Sequence, residues 1–226
     1  MALTPLVTLA FDRAAAALRG RGVAEETVES FEDARARVVV IGFGRFGRMV
    51  AQMLEAEGIE ITALDNSPAR IREASKVGFK VYYGDAARAD VLRAAGCADA
   101  RLIALCMESP TVMLKAVEVI RADFPQARIF CRARDRLHAV ELVRSGVDFQ
   151  IRETVESGLV FGRQALAELG TPPERVREIE TEVRRLDAER LALEVDGDME
   201  GALELVASHR KGHRKGKGTG PAAAAE

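Results

Sequence analysis

The stretch Val38-Val39-Val40-Ile41-Gly42-Phe43-Gly44-Arg45-Phe46-Gly47 runs from an apolar strand directly into a G-x-G-x-x-G turn and then into helix-forming residues. Gly42 permits a tight turn, Gly44 lets the backbone approach a pyrophosphate, and Gly47 allows the helix to pack closely on the strand. The N-terminus of the following helix offers backbone amides and a positive dipole to phosphate groups. The stretch therefore predicts a Rossmann-type nucleotide-binding turn. Its predicted binding residues are Gly42, Phe43, Gly44, Arg45, Phe46 and Gly47.

An acidic residue follows at the spacing that such a turn requires. Asp65 ends the second apolar run, about 20 residues beyond the glycines, where a carboxylate accepts hydrogen bonds from both ribose hydroxyls. Its negative charge would repel a 2′-phosphate, which favours NAD or AMP over NADP. Asp65 and its neighbour Asn66 are therefore predicted to be nucleotide-binding residues.

A second candidate binding element ends the third apolar run. Tyr83-Gly84-Asp85-Ala86 lies on the carboxyl edge of the predicted sheet, where ligands of this fold bind. Asp85 could accept a hydrogen bond from an adenine amino group, and the Ala86 amide could donate one to a ring nitrogen. The same residues are also typical of a turn with an N-capping aspartate. Both interpretations stay open.

Short apolar runs alternate with segments of helical periodicity along most of the chain. The predicted strands are residues 37–41, 59–64, 80–83, 101–106, 128–131 and, at the sheet edge, 147–151. The predicted helices between them are residues 46–56, 68–77, 88–95, 111–122 and 135–145. This alternation is typical of βαβ units. The fold class is therefore α/β: a Rossmann-like, doubly wound parallel sheet over residues 37–152, with a C-terminal helical extension over residues 153–195 that serves dimerisation.

Both ends of the chain differ from this central part. Residues 1–21 begin with an apolar run that is followed by arginines, which fits either the end of a membrane helix or an N-terminal amphipathic helix. The acidic and polar residues 22–36 are predicted to form a linker. Residues 196–226 contain a basic, glycine-rich segment without apolar periodicity, which predicts a disordered tail.

Composition narrows the classes of function. The 226 residues carry a formal net charge of -2, so no global field favours nucleic-acid binding. The three cysteines share no C-x-x-C spacing and lie within or beside apolar runs, as buried thiols in a reducing compartment would. His138 is predicted to be a packed or surface residue and not a general acid. Because no metal-ligand spacing or nucleophile triad presents itself, we do not expect an enzyme.

Six motifs together carry a resemblance to a known family. They are residues 42–47, Asp65, residues 83–86, 94–96, 131–135 and 152–154. In this order and spacing they resemble the cytoplasmic regulatory domain, of RCK or TrkA-N type, of the glutathione-regulated potassium-efflux (Kef) antiporters. The likeness covers roughly residues 1–190. It implies a homodimer that binds AMP or NAD(H) as a regulatory ligand and controls the membrane domain of a potassium/proton antiporter, at the cytoplasmic face of the inner membrane.

The resemblance also implies control by glutathione and an ancillary oxidoreductase subunit. Arg152 matches an arginine that would pair bidentately with a glutathione carboxylate. Two other anchors differ, since Gln52 stands where an arginine is expected and Asp187 where an asparagine is expected. Two alternatives to an antiporter domain stay open: a free-standing regulatory subunit of a Trk-type potassium-uptake system, and a soluble NAD-dependent oxidoreductase.

Overall fold

The computed structural model describes residues 37–216, with their side chains as far as residue 209. One sheet contains β1 (Val38–Ile41), β2 (Ile61–Asp65), β3 (Val81–Tyr83), β4 (Leu102–Leu105), β5 (Arg128–Ala133) and β6 (Phe149–Arg152). The helices are α1 (Arg45–Ala56), α2 (Pro68–Ser75), α3 (Ala89–Ala94), α4 (Pro110–Asp123), α5 (Arg136–Arg144), α6 (Glu153–Glu168), α7 (Pro173–Asp196) and α8 (Met199–Gly216). The interpretations of residues 1–36 and 217–226 lie outside the described residues. Within the described part, no helix combines the length and apolar character needed to cross a bilayer.

The strands are all parallel and follow the order β3-β2-β1-β4-β5-β6. The order reverses between β1 and β4, which creates a crevice outside their carboxyl ends. The two central strands are in register, with Val38 opposite Leu102 and Ile41 opposite Leu105. The predicted doubly wound sheet is thus confirmed. Its edge strand β6 spans Phe149–Arg152 in place of the predicted residues 147–151.

The middle of the sheet forms the core. Every residue of β1 is buried, as expected for a central parallel strand that is covered on both faces. All three cysteines are buried and unpaired as well: Cys97, Cys106 and Cys131. Burial raises the pKa of each of these thiols to about 12. The prediction that they are core residues is confirmed.

Side chains at helix starts fix where several helices leave the sheet. Ser67 begins α2 and Ser109 begins α4, and each hydroxyl accepts a backbone hydrogen bond in a cap that is followed by proline. Asp135 begins α5 by accepting from the His138 backbone N–H at 2.9 Å. The His138 side chain is 2% exposed, and its Nδ1 accepts from the Arg134 N–H at 3.1 Å. His138 is therefore the packed residue that was predicted.

The helical extension is confirmed, and it is tied to the sheet domain. α6 begins directly after β6, and α7 packs on both α5 and α6. The Arg144 guanidinium donates to the carbonyl oxygens of Glu194 and Val195, each at 2.9 Å. These bonds satisfy carbonyl groups in the last turn of α7, which is capped by Gly197 with a φ of 89°.

The predicted disorder of residues 196–226 is wrong as far as residue 216. Residues Met199–Gly216 form α8, which packs against α7. Ala202 is 2% exposed, because the apolar residues at the start of α8 form a face that α7 covers. Burial of this face stabilises a helix that basic composition alone argues against.

Candidate functional site

A cavity of about 210 Å³ opens at the crevice between the carboxyl ends of β1 and β4. Segments that follow β1, β2, β3 and β4 form its wall. The structure brings five of the sequence-predicted residues to this wall: Gly42, Gly44, Asp65, Asn66 and Ala86. Residues far apart in the chain meet here because parallel strands place all their carboxyl ends at one edge.

The other predicted nucleotide-binding residues do not line the cavity: Phe43, Arg45, Phe46, Gly47 and Asp85. The Phe43 ring is 1% exposed and packs edge-on against Phe79, with ring centroids 5.1 Å apart. Asp85 accepts from the Ala87 backbone N–H at 3.0 Å, which is the turn role. Arg45 is exposed at the first position of α1, where it adds positive charge to the helix N-terminus.

The three glycines of the turn differ in what surrounds them. Gly42 has a φ of 91°, and a Cβ there would lie 2.6 Å from the Met107 nitrogen. A Cβ on Gly47 would lie 2.2 Å from the Gly42 carbonyl oxygen. A Cβ on Gly44 would meet no protein atom within 4 Å, although Gly44 lines the cavity. Gly42 and Gly47 are therefore required by the fold, whereas Gly44 leaves backbone open to a ligand.

Asp65 is the most buried acidic group of the cavity wall, with 2% of its surface exposed. Its Oδ2 accepts from the Phe43 N–H at 2.7 Å, and its Oδ1 accepts from the Ser67 N–H at 2.7 Å. The Arg70 Nε lies 3.0 Å from both oxygens. The carboxylate therefore joins the glycine turn to the start of α2, and its charge is balanced by a neighbouring guanidinium.

Arg70 was missed in the sequence-based prediction, although it lines the cavity. Ser67 and Pro68 begin α2 directly after β2, which places Arg70 in the first turn of that helix. A hydrogen bond from the Arg70 guanidinium to Asp65 raises the pKa of Arg70, and the charge of Glu108 adds to this effect. The capping serine and proline ahead of Arg70 were the signal that could have located it.

The β4 and β5 side of the cavity supplies further polar groups, of which Glu108 and Ser109 were not predicted. Glu108 and Ser109 follow β4, and Arg132 lies within β5. The Arg132 guanidinium lies 5.4 Å from the centre of the Phe46 ring and forms an ion pair of 2.7 Å with Glu153. Arg132 also lines a neighbouring cavity of about 390 Å³. A cation therefore lies between the two cavities and contacts the first residue of α6.

Arg152, the predicted glutathione anchor, is engaged within the protein. It is 9% exposed, and both of its terminal nitrogens donate to Asp187 on α7, one of them at 3.1 Å. Arg136 also pairs with Asp187. Burial acts to raise the pKa of the Asp187 carboxyl, but Arg152 and Arg136 outweigh it and hold that pKa below its usual value. Gln52 lies on the exposed side of α1.

Known proteins match both the sequence and this fold. Residues 38–153 match the family model of the TrkA-N domain. A glutathione-regulated potassium-efflux system protein of Haemophilus influenzae is 41% identical over 76% of this chain and 28% of its own length. KefC, the protein of the same description from Cronobacter sakazakii, is 39% identical over 79% of this chain and 28% of its own length. The chain thus spans little more than a quarter of these two relatives.

A solved structure agrees with these sequence matches. The Shewanella denitrificans Kef CTD in its AMP-bound form is 36% identical, with a TM-score of 0.65, and the match covers 70% of this chain and 98% of that one. The resemblance to Kef regulatory domains is therefore confirmed. The matched segment contains the glycine turn, Asp65 and the whole sheet from β1 to β6. The chain belongs to the TrkA-N domain family.

Proposed function

We propose that this domain binds an adenine nucleotide, AMP or NAD(H), as a regulatory ligand in the cavity at the β1–β4 crevice. The observation that carries the proposal is the pairing of an open glycine, Gly44, with a buried carboxylate, Asp65, on one cavity wall. Backbone amides at the start of α1 suit a phosphate, and the carboxylate suits a ribose. AMP in the related Kef CTD supports the same ligand class.

We propose a regulatory and not a catalytic role for the nucleotide, because the charged groups at the cavity wall already form ion pairs within the protein. Asp65 pairs with Arg70, and Arg132 pairs with Glu153. His138 is buried away from this wall, and its Nδ1 accepts a backbone hydrogen bond. These groups suit binding and orientation of a nucleotide better than proton transfer to a substrate.

Isothermal titration of the full chain with AMP, NAD and NADH tests this proposal. We expect Asp65→Asn to weaken nucleotide binding by about tenfold or more, because hydrogen bonds to a charged acceptor are lost. Asp90→Asn, on the exposed side of α3, is the matched control. Thermal melting identifies any variant that has unfolded. If the wild-type chain binds none of the three nucleotides, the proposal is wrong.

We further propose that the domain controls a potassium/proton antiporter from the cytoplasmic face of the membrane. The Kef relatives support this partner, and this chain matches about a quarter of their length. In such an assembly the nucleotide would bias two states of the domain by binding them with different affinities. Potassium efflux would be measured in cells that express an antiporter membrane domain with either wild-type or Gly44→Ala regulatory domain. Equal efflux in both, over a range of nucleotide levels, would contradict this part of the proposal.

Homodimerisation belongs to the same proposal, with α6 as the contact helix. None of the 16 residues of α6 is buried, and Phe161 is 78% exposed. Val160 on the same helix is 48% exposed. A second copy that covers α6 would remove this apolar surface from water.

Control by glutathione is the final element of the proposal. A glutathione carboxylate could use Arg152 only by displacing Asp187 from it. Replacement of Asp187 by the expected asparagine removes that competing charge while preserving side-chain size. We therefore expect Asp187→Asn to bind glutathione more tightly than the wild-type chain in isothermal titration. Arg152→Lys in the Asp187→Asn background should weaken that binding; no binding by any of the three proteins would exclude this site.

A further inference from the structure

The Asp65 carboxylate has little free capacity to accept hydrogen bonds. An ionised carboxylate offers about four lone-pair positions. The Phe43 and Ser67 backbone N–H groups take one position on each oxygen, at 2.7 Å. The Arg70 Nε–H is shared between both oxygens, at 3.0 Å from each, so every donor in the set uses acceptor capacity of this carboxylate.

A nucleotide ribose needs the same acceptors that Arg70 uses. The hydroxyls of a ribose held at this position would donate to the two Asp65 oxygens. The two backbone donors belong to the glycine turn and the start of α2, so they move only with the fold. Arg70 can be displaced without moving the backbone, because its side chain is long and 45% exposed.

We propose that Arg70 is an intramolecular competitor of the nucleotide ribose, which must leave the Asp65 oxygens before both ribose hydroxyls can bind. This inference rests on the proposed nucleotide function. It makes Arg70 a residue that sets affinity: the domain binds its ligand more weakly than the glycine turn and Asp65 alone would allow. Glu108 after β4 and the Asn66 side-chain oxygen, 3.5 Å from Nη2, offer the displaced guanidinium polar neighbours.

The test combines a residue change with a ligand change. Isothermal titration would compare AMP with 2′,3′-dideoxy-AMP, which lacks both hydroxyls, on the wild-type chain and on Arg70→Met. Methionine keeps an unbranched apolar stem and removes every donor. Arg72→Met, an exposed position on the same helix, is the matched control. Adenosine 2′,5′-bisphosphate reports whether Arg70 instead recognises a phosphate on the ribose.

We expect Arg70→Met to bind AMP about three- to fivefold more tightly than the wild-type chain, which is the upper end of the scale of one partly exposed ion pair. Binding of 2′,3′-dideoxy-AMP should stay within about twofold, and Arg72→Met should change neither ligand. Weaker AMP binding by Arg70→Met, or an equal gain for both ligands, would overturn the inference. So would preferential binding of the bisphosphate that Arg70→Met abolishes.

The same titrations separate this inference from the proposed nucleotide function. If the wild-type chain binds AMP but Arg70→Met shows no gain in affinity that depends on the ribose hydroxyls, only the role of Arg70 is overturned. Absence of nucleotide binding by both proteins would overturn both statements.

Discussion

At the scale of single residues, the turn glycines have two different physical roles. Gly42 needs a left-handed backbone, and Gly47 needs the absence of a side chain against the Gly42 carbonyl. The fold does not require glycine at position 44, since its surroundings leave room for a Cβ. Its lack of a side chain therefore matters for what approaches it from the cavity.

Gly44→Ala should weaken nucleotide binding without loss of stability. The added methyl group would occupy space that a phosphate needs next to the backbone, so we expect AMP affinity to fall by about tenfold or more. The apparent melting temperature should stay close to that of the wild type. Gly158→Ala, at an open helical position on α6, is the control for the effect of alanine itself. Unchanged AMP affinity in Gly44→Ala would mean that no ligand group approaches this residue.

His138 is expected to make stability depend on pH. Burial lowers the pKa of the folded imidazole below its ordinary value of 6.5, although the charges of Asp135 and Glu141 oppose this. The unfolded chain therefore takes up the proton first as the pH falls. The stabilisation is complete above pH 6.5 and is lost as the pH falls towards the folded pKa, with a slope of at most about 1.4 kcal/mol per pH unit.

Urea unfolding between pH 7.5 and 5.5 measures this slope. His138→Gln should be less stable at pH 7.5 but should show a flatter dependence on pH. The same slope in His138→Gln and in the wild-type chain would assign the effect to other groups.

At the scale of elements, the unit β1–turn–α1 depends on close contact between strand and helix. The Gly47 position touches both the Gly42 carbonyl and the Cys106 side chain. This packing holds the start of α1 beside the crevice, where Gly44 lines the cavity. Its motif could be predicted from sequence because glycine spacing, an apolar strand and a following helix are local features.

Gly47→Ala should destabilise the domain, in contrast to Gly44→Ala. A Cβ only 2.2 Å from a backbone oxygen forces strand and helix apart, with an expected loss of about 1–3 kcal/mol in the free energy of unfolding. Urea denaturation of both variants beside Gly158→Ala gives the comparison. Equal stability of Gly47→Ala and Gly44→Ala would contradict the packing role of Gly47.

At the scale of the whole molecule, ionic contacts connect the C-terminal helices to the sheet domain. Asp187 on α7 receives Arg136 from α5 and Arg152 from β6, so one carboxylate holds three elements together. The Arg132–Glu153 pair connects the cavity at the β1–β4 crevice to the start of α6. A ligand phosphate that attracts Arg132 would compete with Glu153 for this guanidinium. Ligand binding would thereby affect α6, the proposed dimer helix.

Phe161→Ser should shift the proposed dimer towards monomer. Loss of a large apolar side chain from the centre of a contact typically costs more than about 1 kcal/mol, which raises the dimer dissociation constant by about fivefold or more. Light scattering during size-exclusion chromatography measures the mass over a range of concentrations. Gln164→Ser, at an exposed polar position on α6, is the control. Identical masses for the three proteins would place the contact elsewhere or indicate a monomer.

The sequence by itself determined three features: a glycine turn after β1, a carboxylate at the end of β2, and an alternation of strands and helices that predicts a parallel sheet. Those features depend on backbone freedom and hydrophobic periodicity, which are properties of neighbouring residues. Only the tertiary structure decided that Arg70 covers Asp65, that Asp187 occupies Arg152, and that α8 is ordered on α7. These outcomes depend on which side chains face each other after the elements pack, because a charge or an apolar face acquires its partner only in the folded chain.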